Sequence, residues 1–464
     1  MRKTKRRVEA LSFYDHTGIS AHLEKMAAKG WMLERIANYG WIYRKTEPKK
    51  LHFAVSYYPK ASEYDPEYPE AQQTFHDFCA HTGWELVCTS FQMQVFCNKR
   101  ENPVPIETDP VLEVETIDEA MNKSFLWGHF LLLGLSLIMG FFFLMGVYGN
   151  IIYTLADPMK VFSGLCWLLV FVLAVTELTA YYRWLKKAKI AAEQGQFLDT
   201  PNTSQIQKTV LWILGVAGVY LLVNFVAAGN TMMLFILGGM AAFMGLTFFA
   251  ADGIKRQFKK WRMGKNTNRV VSFLLTWLVA FLTVNLVTFG TVALKEKGFF
   301  DREDAFMAVE HPLRIEDLME VNHQYVTEGS PKESILLAHR HVRQRPWFDV
   351  EDWSMIPHME YDLVKVKWPC LYDGVKAQKI KDVTQVAQLH LAYEERDALE
   401  TVDPAPWGAA EAYHVIDLGE DDEYDRYLLC YDDVLAEIGF SWEVTEEQKR
   451  IVGEKLDNKQ NFEK

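Results

Sequence analysis

Five uninterrupted apolar stretches dominate the pattern along the chain: residues 125–147, 162–182, 210–228, 231–251 and 270–294. Each is close to the roughly 20 residues that a helix needs to cross a hydrocarbon layer about 30 Å thick. None contains Lys or Arg, and Glu177 is the single acid inside them. In lipid only a helix satisfies its own backbone over such a length, so five membrane-crossing helices are predicted. The third and fourth are separated by Gly229 and Asn230 alone, residues that tolerate a tight turn, which predicts an antiparallel hairpin.

The pattern changes on both sides of this block. Ile19, Leu23, Met26 and Ala27 recur at helical spacing after the cap candidates Asp15 and Thr17, and Gly30 stands where a left-handed stop belongs. Alternating runs follow at Trp41 and Tyr43 and at Leu51, Phe53, Val55 and Tyr57, with a short strand near Leu33. Phe75, Phe78 and Cys79 mark a second helix ending near Gly83, and residues 85–93 with 95–98 read as a closing hairpin. Residues 1–100 thus form an α+β module, and residues 101–124, with three prolines and seven acids, read as an acidic linker. Beyond the block, residues 295–464 suffice for a second α+β domain. Strands are expected over 334–338 running on to His339 and Val342, and over 363–368, 412–416, 427–431 and 434–442. Helices are expected over 383–396 and 445–456, the last opened by the capping box Thr445-x-x-Gln448. The fold class is therefore an α-helical multi-pass membrane bundle of five spans, residues 125–294, flanked by two α+β soluble domains.

Charge adds orientation. The net charge of −12 divides into −2 for residues 1–124, +9 for 125–300 and −19 for 301–464. Lys and Arg crowd the loops after the second and fourth stretches, from Arg183 to Lys208 and from Lys255 to Arg269. Short basic loops stay cytoplasmic, so an odd number of spans puts the amino terminus in the cytoplasm and the carboxyl terminus outside the cell membrane. The basic start runs into Val8-Glu9-Ala10 rather than an apolar core, so the first span is expected to act as an uncleaved signal. The acidic carboxyl-terminal domain argues against direct nucleic-acid binding.

The stretch Met26-Ala27-Ala28-Lys29-Gly30-Trp31-Met32-Leu33, the strands Trp41-Ile42-Tyr43-Arg44-Lys45 and Phe53-Ala54-Val55-Ser56-Tyr57, and the turn Gly83-Trp84-Glu85 resemble the bacterial domain-of-unknown-function family numbered 2812. The resemblance covers roughly the first hundred residues. It implies a membrane protein commonly encoded beside a PadR-type transcriptional regulator, and it supplies no catalytic residue.

Candidate chemistry is sparse. Glu177 is weighed between a functional and a structural role, with Asn224 as an interhelical partner. Cys370 and Cys430, the only cysteines expected outside, form a disulfide candidate, with two free thiols as the alternative. His339 and His341 share a strand face and, with His311 or His323, offer a loose three-imidazole set; exposed strand histidines are the plainer reading. Cys79, Cys88 and Cys97 with His76 and His81 lack the close CxxC pairing of a zinc site. Residues 421–425 form an acidic turn without the glycine and distal Glu of a calcium loop. Gly238 with Ala242, and Ala241 with Gly245, allow close helix packing. With no nucleophile elbow, Walker loop, dinucleotide fingerprint or HExxH, no enzyme activity, catalytic residue, metal or cofactor is expected. The layout predicts a signalling or regulatory membrane protein whose outer domain senses and whose cytoplasmic module contacts a PadR-type regulator. A transporter or channel component is the alternative.

Overall fold

The computed structural model describes residues 4–37, 40–227, 229–299, 311–322, 324–346, 356–384, 397–417 and 425–457. They divide into two units, residues 1–138 with 166–301, and residues 139–165 with 302–464.

In the first unit the amino-terminal region is β-rich. It runs β1 (Thr4–Arg7), α1 (His16–Ala28), β2 (Trp31–Ala37), β3 (Gly40–Lys45), β4 (His52–Tyr57), α2 (Glu70–His81), β5 (Glu85–Ser90), β6 (Met93–Asn98) and α3 (Pro110–Lys123). The strands form two antiparallel sheets ordered β1-β3-β2 and β4-β6-β5. The Asp15 side chain accepts from the Gly18 N–H and so caps α1, whose residues Ile19, Leu23, Met26 and Ala27 are buried. Gly30 ends this helix at φ +77°; a side chain there would also meet the Thr46 carbonyl at 2.8 Å.

Two segments depart from the sequence reading. The basic start is itself a strand, Thr4 to Arg7 pairing with Arg44 to Trp41 of β3. The segment read as a linker, residues 101–124, contains α3, because Pro110 occupies the first helical turn, where no N–H partner is lost, and Asp109 caps that turn. Val114, Ile117, Ala120 and Met121 bury one face in the amino-terminal core, while Glu115 and Glu119, two of the acids that suggested a linker, are exposed.

Five helices are long and apolar enough to cross a membrane: α4 (Phe125–Gly149), then, after the short α5 (Ile151–Leu155), α6 (Pro158–Glu193), α7 (Ser204–Ala227), α8 (Thr231–Lys260) and α9 (Lys265–Glu296). Their large apolar side chains point outward, Trp212 70 % and Leu286 74 % exposed, as in helices that face lipid. Gly229 turns at φ +64°, and the Asn230 side chain caps α8 by accepting from the Met233 N–H. The helices outrun the apolar stretches mainly toward the basic loops, α6 continuing to Glu193 and α8 to Lys260.

The second unit holds α10 (Ile315–Leu318), β7 (Tyr325–Glu333), β8 (Leu337–Pro346), β9 (Met359–Val366), α11 (Tyr372–Thr384), β10 (Asp397–Val402), β11 (Glu411–Asp417), β12 (Asp425–Cys430), β13 (Val434–Phe440) and α12 (Glu446–Leu456). All seven described strands join one antiparallel sheet, ordered β10-β11-β12-β13-β9-β8-β7. One face, including Val342, Met359, Tyr361, Ile438 and Phe440, packs with α10, α12 and Trp407. The other packs Val364, Leu428 and Leu435 against α11 and against Ile152 and Leu155 of α5. The capping box is made: the Thr445 N–H donates to Gln448 Oε1 at 3.0 Å, and the Gln448 N–H to Thr445 Oγ1 at 3.3 Å. Helix α11 is unexpected; of the helix expected over 383–396, residues 383 and 384 end α11 and residues 385–396 fall outside the described residues.

Helix α12 crosses the turn at Trp407 so closely that a Cβ on Gly453 would sit 2.1 Å from the Trp407 carbonyl oxygen. Because the obstacle is backbone, Gly453→Ala is expected to destabilise this unit by about 2 kcal/mol, despite alanine's better helix propensity. Thermal unfolding of the variant checks this; unchanged or raised stability would refute the close approach.

Candidate functional site

Two polar arrangements stand out, one in each unit. The first is built around Glu177. From the end of the apolar stretch onward, α6 keeps an apolar stripe, Leu178 and Tyr181 within the stretch and Leu185, Ala188 and Ala192 with Trp184 past it, and these residues belong to the same core as α1, β4 and α3. Helical spacing thus carries α6 out of the apolar block and into the amino-terminal domain. Glu177 lies where the two meet and is 3 % exposed. Ser12 Oγ donates to Glu177 Oε2 at 2.6 Å, and Gln207 Nε2 donates to Glu177 Oε1 at 2.8 Å. With its proton committed, Ser12 Oγ accepts from Thr203 Oγ1 at 2.7 Å and from Gln207 Nε2 at 3.0 Å. Alongside, Thr200 Oγ1 donates to Asp15 Oδ1 and accepts from Thr17 Oγ1 at 2.7 Å. The carboxylate is therefore held by neutral donors, and Glu177 makes no ion pair among the described residues.

Asn224 is not a partner of Glu177. It lies 17 residues beyond Gln207 on α7, about 25 Å along the axis. Helix α6 runs on past Glu177 to Glu193, and the connection 194–203 leads back alongside it, so α7 begins beside Glu177 and Gln207, in its first turn, meets the carboxylate. Further contacts of this unit tie the amino-terminal domain to the other basic connection. Arg35 pairs with Asp252 at 3.2 Å, Lys255 with Glu63 at 2.8 Å, and Asn268 Nδ2 donates to the Tyr64 carbonyl at 3.1 Å.

The second arrangement lies on the polar half of the α11-facing side of the seven-stranded sheet. Pairing aligns His341 of β8, Asp362 of β9 and Glu437 of β13 in one row. Val375, Lys379 and Val383 recur every four residues on α11, and this stripe packs down on the sheet. Lys379, with a side chain 4 % exposed, donates to both Asp362 and Glu437, the latter at 2.7 Å. Arg426 pairs with the other Glu437 oxygen at 2.7 Å, and His339 Nε2 sits 2.6 Å from Asp362 Oδ1. Burial favours the neutral forms, yet the paired cations hold the Asp362 and Glu437 carboxyls below the usual range, and the two carboxylates hold Lys379 above its own. A cavity of about 370 Å³ opens beside this network, lined also by Glu360, Asp382, and Asn150, Ile152 and Tyr153 at α5.

His339 and His341 thus face Asp362, and no grouping of His, Cys, Asp and Glu suited to a metal ion occurs among the described residues. His311, before α10, is half-buried against Gly329 of β7, where burial lowers its pKa; His323 and residues 421–424 lie outside the described residues. Cys370 and Cys430 are both free. Cys370 is exposed on a short 3-10 turn, whereas Cys430 is buried in the sheet core, where burial pushes its thiol up to about 11. Ser12, Gln207, Lys379, Asp362 and Glu437 escaped the sequence reading. Lys379 had a signal, a lysine inside a four-residue apolar repeat; Ser12 had none.

Residues 16–129 match the family described as Protein of unknown function (DUF2812). That match runs through α3 into α4, beyond the hundred residues that suggested it. No match was found to a curated protein or to a solved structure.

Proposed function

We propose, for a chain whose residues 16–129 form a domain of the DUF2812 family, a membrane-bound regulatory protein that passes an outside signal to a cytoplasmic transcriptional regulator of PadR type. The observation that carries the reading is the Ser12–Glu177–Gln207 contact, which binds the amino-terminal domain to two of the apolar helices through buried polar groups. Any shift of α6 against α7 must break or remake those bonds, so the domain and the helices are energetically coupled.

Orientation has support within each unit. The amino-terminal domain packs on the ends of helices bordering the connections 194–203 and 261–264, whose flanking helix ends carry the Lys and Arg residues that the charge rule assigns to the cytoplasm. The connection at 150–157 packs instead into the carboxyl-terminal sheet domain, the Ser334 hydroxyl donating to the Leu155 carbonyl at 2.5 Å. Exposed Cys370 provides a test: a membrane-impermeant maleimide is expected to label it on intact cells, with labelling lost in Cys370→Ser. Labelling only after permeabilisation would reverse the orientation. For the regulatory role, the full-length protein in nanodiscs is expected to bind a purified PadR-type regulator from the same genome saturably; absence of binding would overturn the reading. A transporter would need Glu177 open to a solute path, and its carboxylate is enclosed by Ser12 and Gln207.

A further inference from the structure

We propose that a cavity at the basic end of α8 binds a hydroxyl-bearing phosphoester, the chemistry of a glycerophosphate headgroup. The inference does not rest on the regulatory reading above. The cavity, about 570 Å³, is lined by the last turns of α8, by the loop leading into α2 and by the turn between β5 and β6. The apolar stretch of α8 ends at Ala251, so Asp252, Lys255 and Lys259 follow it by about 2, 6 and 12 Å along the axis. A headgroup layer adds about 5–8 Å on each side of the hydrocarbon, which sets this cavity level with lipid phosphates.

Its ion pairs leave positive charge over. Lys255 pairs with Glu63 at 2.8 Å, Lys265 with Asp65 at 3.6 Å and Arg262 with Glu67 at 3.1 Å. Asp252 is shared by two guanidiniums, Arg35 at 3.2 Å and Arg256 at 3.1 Å. Lys259 is half-buried on the wall and makes no ion pair among the described residues, because Glu63 and Asp65, the carboxylates that act on it, are engaged by other lysines. Every carboxylate on the wall is therefore taken, one of them twice, while one ammonium is not, and the balance calls for an anion.

Hydrogen-bonding capacity is an independent sign. Gln72, in the first turn of α2, lines the cavity and is 2 % exposed, yet its side-chain amide makes no hydrogen bond among the described residues. A buried amide is costly until something completes it, and its N–H groups, with the Lys259 ammonium, suit phosphate oxygens. Asp65 Oδ2 is also buried without a hydrogen bond among the described residues, Lys265 standing off at 3.6 Å, and it suits a ligand hydroxyl. Tyr68 and Phe91 supply apolar wall for the ligand's carbons. Phe91 is held at φ +50°, a left-handed conformation that bulky residues rarely adopt, so the β5–β6 turn carries a ring here where glycine or asparagine would relieve the backbone.

The full-length protein in nanodiscs tests this in two arms. In phosphatidylcholine discs, isothermal titration uses glycerol phosphate as the probe, with inorganic phosphate and citrate as controls. In mixed discs, native mass spectrometry compares retained phosphatidylglycerol with retained phosphatidylcholine. Saturable glycerol phosphate binding, stronger than either control, or preferential retention of phosphatidylglycerol is expected; the first identifies a free phosphoester as the source and the second a lipid. Lys259→Met and, separately, Gln72→Leu should each weaken binding about tenfold, with thermal unfolding verifying that both fold. In phosphatidylcholine discs without ligand, Gln72→Leu should unfold no earlier than the wild type, because an unpartnered amide is removed; earlier unfolding would make Gln72 structural and overturn its assignment. No binding in either arm, a control bound as tightly as glycerol phosphate, or unchanged binding in both folded variants would overturn the proposal. Regulator binding enters none of these readouts, so the two readings fail separately.

Discussion

Glu177→Ala is expected to lower the stability of the amino-terminal unit by about 3 kcal/mol, with Glu177→Gln losing about 1 kcal/mol. The carboxylate is removed from water and compensated by two donors, Ser12 Oγ at 2.6 Å and Gln207 Nε2 at 2.8 Å. A hydrogen bond to a charged acceptor contributes roughly 1.5–3 kcal/mol, and a donor stranded in a buried site costs about 1–3 kcal/mol. The alanine variant strands both groups only in part, because Ser12 keeps Thr203 and Gln207 keeps the Ser12 oxygen. Glutamine retains an acceptor for Gln207 and lets Ser12 turn its proton to Thr203, hence the smaller loss. Denaturant unfolding in detergent, with limited proteolysis reporting on β1 and α1, measures both. A double-mutant cycle with Ser12→Ala should give a coupling of about 1 kcal/mol or more, as for groups in one network. Wild-type stability in Glu177→Ala, or strict additivity with Ser12→Ala, would show that the contact does not join domain to helices.

That contact also marks where the sequence stops being legible. The apolar runs announced the five helices, since lipid leaves the backbone one solution, and Asp15, Gly30 and the Thr445/Gln448 pair announced element ends through purely local chemistry. What required knowledge of neighbours went astray. Residues 101–124 read as a linker because Pro and acids dominate, yet Val114, Ile117, Ala120 and Met121 are spaced for a helix that needs a partner surface. The run from Thr4 to Arg7 is exposed at every residue and has no burial pattern; only pairing with β3 makes it a strand. Asn224 was matched to Glu177 by polarity alone, although the connection between α6 and α7 places Gln207 there. Asp362 and Glu437 lie on separate strands and meet only through the register of β9 and β13.

Lys379→Met should destabilise the carboxyl-terminal unit by about 3–5 kcal/mol at neutral pH, the usual range when one member of a buried ion pair is removed. Methionine preserves most of the stem's packing among Val375 and Val383, so the loss reports on charge. Asp362 is left with His339 and Glu437 with Arg426. The pH dependence separates this account from a simple packing defect. In the wild type Asp362 and Glu437 titrate below their unfolded values, so their stabilisation is complete above those values and is lost as acid brings the pH down through the folded ones. Lys379 titrates above its unfolded value, so its share persists from neutral pH until alkali passes that higher value. Without Lys379, burial pushes the two carboxyls upward instead, and protonation relieves the stranded charges. The gap between variant and wild type is therefore expected to narrow on acidification, because the variant's raised carboxyls protonate first and shed their stranded charge while the wild type keeps its ionised pairs until the pH falls below the ordinary carboxylate range. Unfolding curves for both proteins between pH 4 and pH 8 give the gap directly; a difference that stays constant across that range would assign the lysine a packing role.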